Sequence, residues 1–378
     1  MTPKVASLSS SDRPHLVFWE TTRACGLSCV HCRASAMPSP QPGELSPSQG
    51  LEVIDAVASF GAPVPVLVFT GGDPLRRPDL FELLAHARER SVPFAVAPAV
   101  TDLLDARALE RLSTSGASSI SLSLDGALSA THDGIRGAEG SFDRTMGAVR
   151  ELAARGARVQ VNSVVMPRNL TELPKLFQLV RGSGASVWEV FFLVRTGRGA
   201  VVEDLPPDTW EEAAHFLLEA SRYGTTVRAI EAPIVRRLLL TRDRDPVSSS
   251  PEKRALVRQL HELLGPPPGE VALRPSGTLD GDGTLFVAHD GSLQPGGLLP
   301  HSLGRLPGDD MVKVYRHHPL LRAIRERRLH GPCGYCSYRT VCGGSRARAF
   351  TATEDPLGTD PACLYGSTAL PPLSSWSA

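Results

Sequence analysis

Between Leu16 and about Tyr223 the sequence alternates short runs rich in β-branched and aromatic residues with amphipathic stretches of helical period. The alternation predicts a parallel sheet, because parallel neighbours need a crossover long enough for a helix between them. Predicted strands are Leu16–Thr21, Val66–Thr70, Phe94–Val100, Ser118–Leu124, Val159–Val165 and Val187–Val194. Predicted helices are Pro47–Phe60, Pro78–Arg90, Asp105–Ser115, Phe142–Arg155, Thr171–Gly182 and Asp208–Arg222, their starts marked by Ser46, Asp105, Ser141, Asn169 and Asp208. Six such α/β units with right-handed crossovers can curl into a partial barrel or lie as an open doubly wound sheet, and periodicity alone does not separate the two. In both, ligands bind at the C-terminal ends of the strands.

The first predicted strand runs into Trp19–Cys32, WETTRACGLSCVHC, where Cys25, Cys29 and Cys32 follow a C-x3-C-x2-C spacing. Three thiolates on one loop can hold three irons of a [4Fe-4S] cluster and leave the fourth iron open. The same spacing also suits part of a zinc site completed by His31 or a distant cysteine. Cys333, Cys336 and Cys342, spaced C-x2-C-x5-C, and the later Cys363 form a second group. Four thiolates there suit either a fully ligated cluster or a structural zinc. Seven cysteines in two tight groups argue for metal ligands in a reducing cytosol rather than a disulfide framework.

The first cysteine spacing, at the end of a first strand and with His31 before its last member, resembles the signature of the radical S-adenosylmethionine (radical SAM) enzymes. The resemblance implies a partial (β/α)6 TIM-type barrel whose open iron chelates the amino and carboxylate groups of S-adenosylmethionine (SAM) and delivers an electron to it. After the second strand stand Gly71, Gly72, Asp73 and Pro74. Read alone these are a tight strand-to-helix turn. One strand after the cysteine loop they resemble the family's Gly-Gly-Glu-Pro motif, whose backbone holds the amino group of SAM, with Asp73 departing from the usual glutamate. The fourth strand ends in Ser121, Leu122, Ser123, Leu124, Asp125 and Gly126, followed by His132, Asp133, Arg136 and Gly137. A strand, an Asp-Gly turn and a capped helix account for most of these residues. The resemblance implies that Ser123 and Arg136 contact the SAM carboxylate and ribose, and Asn162 the adenosine end. By the period-2 rule Asn162 shares a strand face with Gln160 and Val164, so an inward polar pair would line a cavity, while a satisfied core amide is the alternative. Arg195 and Arg198, in the exit of the sixth strand, are candidates for a substrate carboxylate.

From about Thr225 the βα rhythm is expected to stop. A strand-like piece, Val227–Glu231, leads to helices at Pro233–Arg242 and Lys253–Leu264, separated by a polar stretch from Asp243 to Pro251. A hairpin, Thr284–Ala288 with Ser292–Gln294, and one basic helix over about Met311–Arg328 then precede the second cysteine group. That group resembles the SPASM or twitch extension, which implies an auxiliary [4Fe-4S] cluster on Cys333, Cys336, Cys342 and Cys363. Arg346 occupies a position where a full SPASM domain has a cysteine, and Gly291 and Gly296 stand around the hairpin where two more would be expected. The resemblance therefore implies one auxiliary cluster with complete cysteine ligation.

The expected organisation is a flexible N-terminus (1–15), the barrel (16–224), a bridge or lid (225–282) and an auxiliary-cluster domain (283–378). The opening and the segment Cys342–Phe350 look most like the radical SAM enzymes of alternative haem and dioxo-haem biosynthesis. The implied activity is reductive cleavage of SAM to a 5′-deoxyadenosyl radical, which takes hydrogen from a small molecule such as a carboxylated tetrapyrrole. Electrons would come from a flavodoxin or ferredoxin-type donor. Two other enzymatic readings are maturation of a ribosomally made peptide and radical chemistry on a small sugar or nucleoside. From another class, the chain could be a non-catalytic metal-binding regulatory protein. Acidic and basic residues balance at 40 each, which argues against a nucleic-acid partner. The absence of a long apolar run argues against a membrane span, and the expected location is the cytoplasm.

Overall fold

The computed structural model describes residues 12–241, 254–273 and 279–367. The chain begins β1 (Leu16–Glu20), α1 (Pro47–Ala58), β2 (Val66–Thr70), α2 (Leu80–Glu89), β3 (Phe94–Val96), α3 (Ala106–Thr114) and β4 (Ile120–Ser123). It continues α4 (Ser129–Arg136), α5 (Ser141–Ala154), β5 (Val159–Val165), α6 (Leu173–Gly182), β6 (Val187–Phe192), α7 (Pro207–Ala220), β7 (Thr226–Ile230), α8 (Ile234–Thr241) and α9 (Ala255–Leu264). The last part holds β8 (Thr284–Val287), β9 (Ser292–Gln294), β10 (Gly304–Arg305), α10 (Met311–His317), α11 (Pro319–Arg325), α12 (Gly331–Tyr335), α13 (Arg346–Thr353) and α14 (Leu364–Ser367). The six strands expected up to Val194 are present, β2 and β5 with the expected bounds and the other four shorter.

Among the described residues the strands form one sheet in the order β10-β9-β8-β1-β2-β3-β4-β5-β6-β7. Strands β1 to β6 pair in parallel, as the βα alternation predicts, and make the partial barrel that the family resemblance implies. Of the five marked helix starts, Ser46 and Asp105 are side-chain caps, whereas Ser141, Asn169 and Asp208 are not. Ser46 and Gln49 form a reciprocal capping box on α1, and Asp105 caps α3 through the Ala108 N–H.

Three expectations change. The βα rhythm does not stop at Thr225: β7 pairs in parallel with β6 along its length, burying Val227 and Ala229. The hairpin at 284–294 is not detached from the barrel either, because β8 lies parallel to β1 with Leu16 opposite Thr284. All four β8 residues, TLFV, are buried, so this strand needs cover on both faces and a neighbour on each edge, which β1 and β9 provide. The expected helix over 311–328 is two helices. Pro319 cannot donate into a continuing helix and bars the residue before it from helical ψ; His318 is at ψ 129° and Pro319 opens α11.

The stretch after the Ser-x-Asp-Gly turn, by contrast, is the short helix α4, closed by Gly137 at φ 67°. The polar stretch Asp243–Pro251, the first residue of the helix expected from Lys253, and most of the expected N-terminal segment lie outside the described residues. No helix among the described residues is long and apolar enough to cross a membrane.

Candidate active site

The loop after β1 is shaped by backbone bonds to its own return and to the turn after β2. Cys25 N–H donates to Met37 O at 2.7 Å, and Met37 N–H donates to Arg23 O at 3.0 Å, closing the cysteine loop on itself. Gly72 N–H donates to Thr22 O at 2.8 Å and Asp73 N–H to Ala24 O at 2.7 Å. Two glycines are required for this approach. Gly71 sits at φ 140°, and a Cβ there would stand 2.4 Å from Thr22 O; at Gly72 it would stand 2.3 Å from Ala24 O.

Cys25, Cys29 and Cys32 line one cavity of about 640 Å³ that fills the barrel interior, a volume within the usual range for small-molecule sites. One wall is apolar: Leu16 and Phe18 from β1, Val66 and Val68 from β2, Ala95 from β3 and Phe286 from β8. The facing wall is polar. Ser123, Asn162, Glu189 and Arg228 stand opposite one another on β4, β5, β6 and β7, so their side chains share the inner face. Gln160 joins them, donating to Asn162 Oδ1 at 2.8 Å and to Glu189 Oε2 at 2.9 Å while accepting from Arg228 at 3.3 Å. Burial pushes the Glu189 carboxyl up, opposed by Arg228.

At the cysteine end the chemistry is cationic. Arg136, carried by the last turn of α4, places Nη2 2.5 Å from Asp125 and donates from Nη1 to Cys29 Sγ at 3.6 Å. Burial alone would raise the Asp125 carboxyl, but the Arg136 guanidinium overrides it and holds Asp125 below the usual carboxylate range. His31 Nε2 lies 3.8 Å from Asp125, yet burial lowers the imidazole to about 4, so it is neutral at physiological pH. Arg198, after β6, donates from Nε to Cys29 O at 3.0 Å and from Nη1 to Ala36 O at 2.7 Å, and its N–H reaches Cys32 O at 2.9 Å.

These residues fit a [4Fe-4S] cluster carrying SAM. Each sulfur has an N–H donor: Leu27 to Cys25 at 3.4 Å, Arg136 to Cys29 at 3.6 Å and Ala36 to Cys32 at 3.5 Å. Burial pushes the Cys25 thiol up to about 11, so a bound metal would have to displace its proton. Arg136 Nε, Arg198 Nη2 and His31 Nδ1 are buried beside the cavity without a hydrogen-bond partner among the described residues. Two unused guanidinium donors beside the thiols suit the carboxylate of an amino-acid ligand.

Of the residues singled out from the sequence, Gly71, Gly72, Ser123, Arg136 and Asn162 line the cavity. Asp73 and Pro74 do not. Pro74 starts a 3-10 turn, and the buried Asp73 carboxylate faces away, accepting from Leu75 N–H at 3.2 Å, Ala99 N–H at 3.3 Å and Thr101 Oγ1 at 2.9 Å. It ties the turn after β2 to the loop after β3. Arg195 folds back onto Ala200 O at 2.8 Å, so of the two loop arginines only Arg198 reaches the cavity, as a brace on the cysteine loop. Glu189 and Arg228 belong to no motif, although each is a charged residue at an inward register position of its strand. Glu231 and Asp280 line the cavity from outside the six expected βα units and carry no periodic signal.

The second cysteine group lies where α12 and α13 meet. Cys333 is in α12, Cys336 follows it, and Cys342 N–H donates to Tyr338 O at 2.8 Å. None of the seven cysteines is in a disulfide. Arg346, the first residue of α13 and almost fully buried, points Nη2 at Cys333 Sγ at 3.8 Å. Behind it Arg348 pairs with Asp360 through two nitrogens at 2.9 and 3.0 Å, and Ser345 Oγ donates to Glu231 of the cavity rim. Among the described residues no three His, Cys, Asp or Glu side chains gather as tightly as a single metal ion requires.

The family model described as Radical SAM superfamily matches residues 19–180. Over 95% of its length the chain is 34% identical to the AdoMet-dependent heme synthase of Methanosarcina barkeri, covering 98% of that protein. It is 32% identical to the AdoMet-dependent heme synthase of Nitratidesulfovibrio vulgaris, over 93% of this chain and 92% of the relative. In fold it is similar to native anSMEcpe with bound AdoMet, at a TM-score of 0.66 and 17% identity, covering 92% of this chain and 93% of that one.

Proposed function

Because the chain belongs to the radical SAM superfamily, we propose that it acts on a carboxylated tetrapyrrole, altering its side chains in the formation of a haem-type cofactor. It is a radical SAM enzyme and uses a [4Fe-4S] cluster with SAM. The observation that carries the substrate reading is the two-sided cavity: an apolar wall for a flat macrocycle faces a polar one, with Arg33 and Arg228 beside it for substrate carboxylates. The heme synthase relatives, similar over nearly the whole chain, point to the same substrate class.

In this proposal Cys25, Cys29 and Cys32 hold the first cluster, and the backbone at Gly71 and Gly72 with Ser123, Arg136 and Asn162 orients SAM. When bound, cluster and SAM supply a 5′-deoxyadenosyl radical. Arg136 and Arg198 hold the ligand carboxylate, and Asp125 fixes Arg136 in place. Neutral His31 offers its Nδ1 to a ligand without adding charge. The apolar wall keeps water from the reacting atoms.

Cys333, Cys336, Cys342 and Cys363 are proposed to hold one auxiliary [4Fe-4S] cluster carried by residues 283–378, and of the expected bridge β7 adds to the barrel sheet. No second auxiliary site is proposed, since Gly291 and Gly296 stand around the hairpin where its cysteines would be expected. A flavodoxin or ferredoxin-type protein is the proposed electron donor.

The test is anaerobic reconstitution, reduction and incubation with SAM and iron-coproporphyrin III. The expected result is 5′-deoxyadenosine formation that rises with the porphyrin, together with a change in the porphyrin's mass. Unmodified porphyrin and a rate of SAM cleavage independent of it would reject the substrate.

A further inference from the structure

Arg346 is a buried cation with an unusual set of partners. It is 1% exposed, and its guanidinium donates to three carbonyls: Gly344 O at 3.3 Å, Pro356 O at 3.2 Å and Gly358 O at 2.7 Å. Its remaining contact is Cys333 Sγ at 3.8 Å. Among the described residues no carboxylate lies within ion-pair distance of it: Asp360 is taken by Arg348, and Glu231 and Asp355 interact with Arg346 only at longer range. A guanidinium does not give up its proton in a protein, so this charge is permanent.

A permanent charge out of water is costly unless an anion compensates it. Neutral thiols would not. Thiolates bound to a cluster would. The carbonyls fix the guanidinium against the sulfur, so it cannot swing to solvent.

We propose that Arg346 sets the redox poise of the second cysteine group, raising the reduction potential of the cluster held by Cys333, Cys336, Cys342 and Cys363 so that it accepts an electron more readily. The inference rests on the auxiliary-cluster reading above. Reduction adds one electron and one negative charge to the cluster with no proton taken up. A fixed positive charge and an N–H···S contact at one ligand stabilise that reduced form more than the oxidised one, and net charge and hydrogen bonds to sulfur are among the main determinants of such potentials. The position at which a full SPASM domain would have a cysteine thus carries a cation that tunes the cluster it adjoins.

The experiment uses the full chain with Cys25, Cys29 and Cys32 all changed to alanine, so that only the second group can hold iron. After anaerobic reconstitution, iron and sulfide are counted and the midpoint potential is read by electron paramagnetic resonance during a dithionite titration. About four irons per chain are expected. In the same background, Arg346→Gln should lower the potential by at least about 59 mV, a tenfold change in the oxidised-to-reduced ratio for one electron, and Arg346→Lys should lower it less. A Gln variant with four irons and an unchanged potential overturns the inference while leaving the auxiliary cluster in place. Absence of iron from the alanine parent overturns the auxiliary-cluster reading, and the inference with it. If the Gln variant loses iron, the Lys variant decides. Iron retained near the parent potential supports the charge, and iron lost from both, with circular dichroism unchanged, makes Arg346 a structural brace.

Discussion

Arg198 donates from its guanidinium Nε to the carbonyl oxygen of Cys29 at 3.0 Å, from a position 169 residues further along the chain. A second bond, to Ala36 O, and a backbone bond to Cys32 O make the loop after β6 a clamp on the cysteine loop. Hydrogen bonds from a charged donor are worth about 1.5–3 kcal/mol each. Arg198→Leu should therefore release iron from the first site to a chelator at least tenfold faster than the parent, as read by the absorbance of the iron–chelator complex. Unchanged release would remove the clamp from the account.

The two cysteine groups should be separable. Cys29→Ala is expected to bring iron from about eight to about four per chain and to abolish 5′-deoxyadenosine formation, measured by chromatography. Cys336→Ser should leave SAM cleavage detectable while product formation from the porphyrin falls at least tenfold. SAM cleavage surviving in the Cys29 variant would show that the first cluster is misassigned.

Gly72→Ala tests the seating of the turn after β2. A methyl group 2.3 Å from Ala24 O cannot be accommodated without shifting backbone. Apparent SAM affinity, measured by equilibrium dialysis on reconstituted protein, should weaken at least tenfold with far-ultraviolet circular dichroism unchanged.

The pair formed by Asp125 and Arg136 has a pH signature. Its folded carboxyl titrates below the ordinary value of about 3.9, so its contribution to stability is present above that value and is lost as pH falls through the lower, folded one. Asp125→Asn strands a buried guanidinium and should cost about 3–5 kcal/mol at pH 7 in urea unfolding of the apoprotein. The difference from the parent should shrink on acidification below about pH 4. A gap that stays constant down to pH 3 would mean that the pair does not titrate as described.

The inner row from Ser123 to Arg228 can be probed at Arg228, which the proposed function gives to a substrate carboxylate. Arg228→Gln should raise the KM for iron-coproporphyrin III at least tenfold and leave porphyrin-independent SAM cleavage within about twofold, in steady-state assays. An unchanged KM would direct attention to Arg33 instead.

Much of the site was legible in local pattern. The cysteine spacing, the Gly-Gly turn one strand later and the register of Asn162 with Gln160 each depend on a few adjacent residues, and strand and turn geometry fix where those residues point. Asp73, which stands where the family has glutamate, spends its carboxylate on Thr101 and two backbone N–H groups, which leaves its backbone for any ligand contact.

The sequence by itself determined the βα order, the two thiol groups and the glycines that let one loop lie against another, since these rest on short-range sterics and spacing. Tertiary structure alone decided that β7 and β8 extend the sheet at its two sides, that Arg198 returns to Cys29, and that Arg346 meets Cys333. Those contacts join segments brought together by sheet order and burial. A buried guanidinium chooses its partner from whatever acceptors packing leaves beside it, and no local period in the chain encodes that choice.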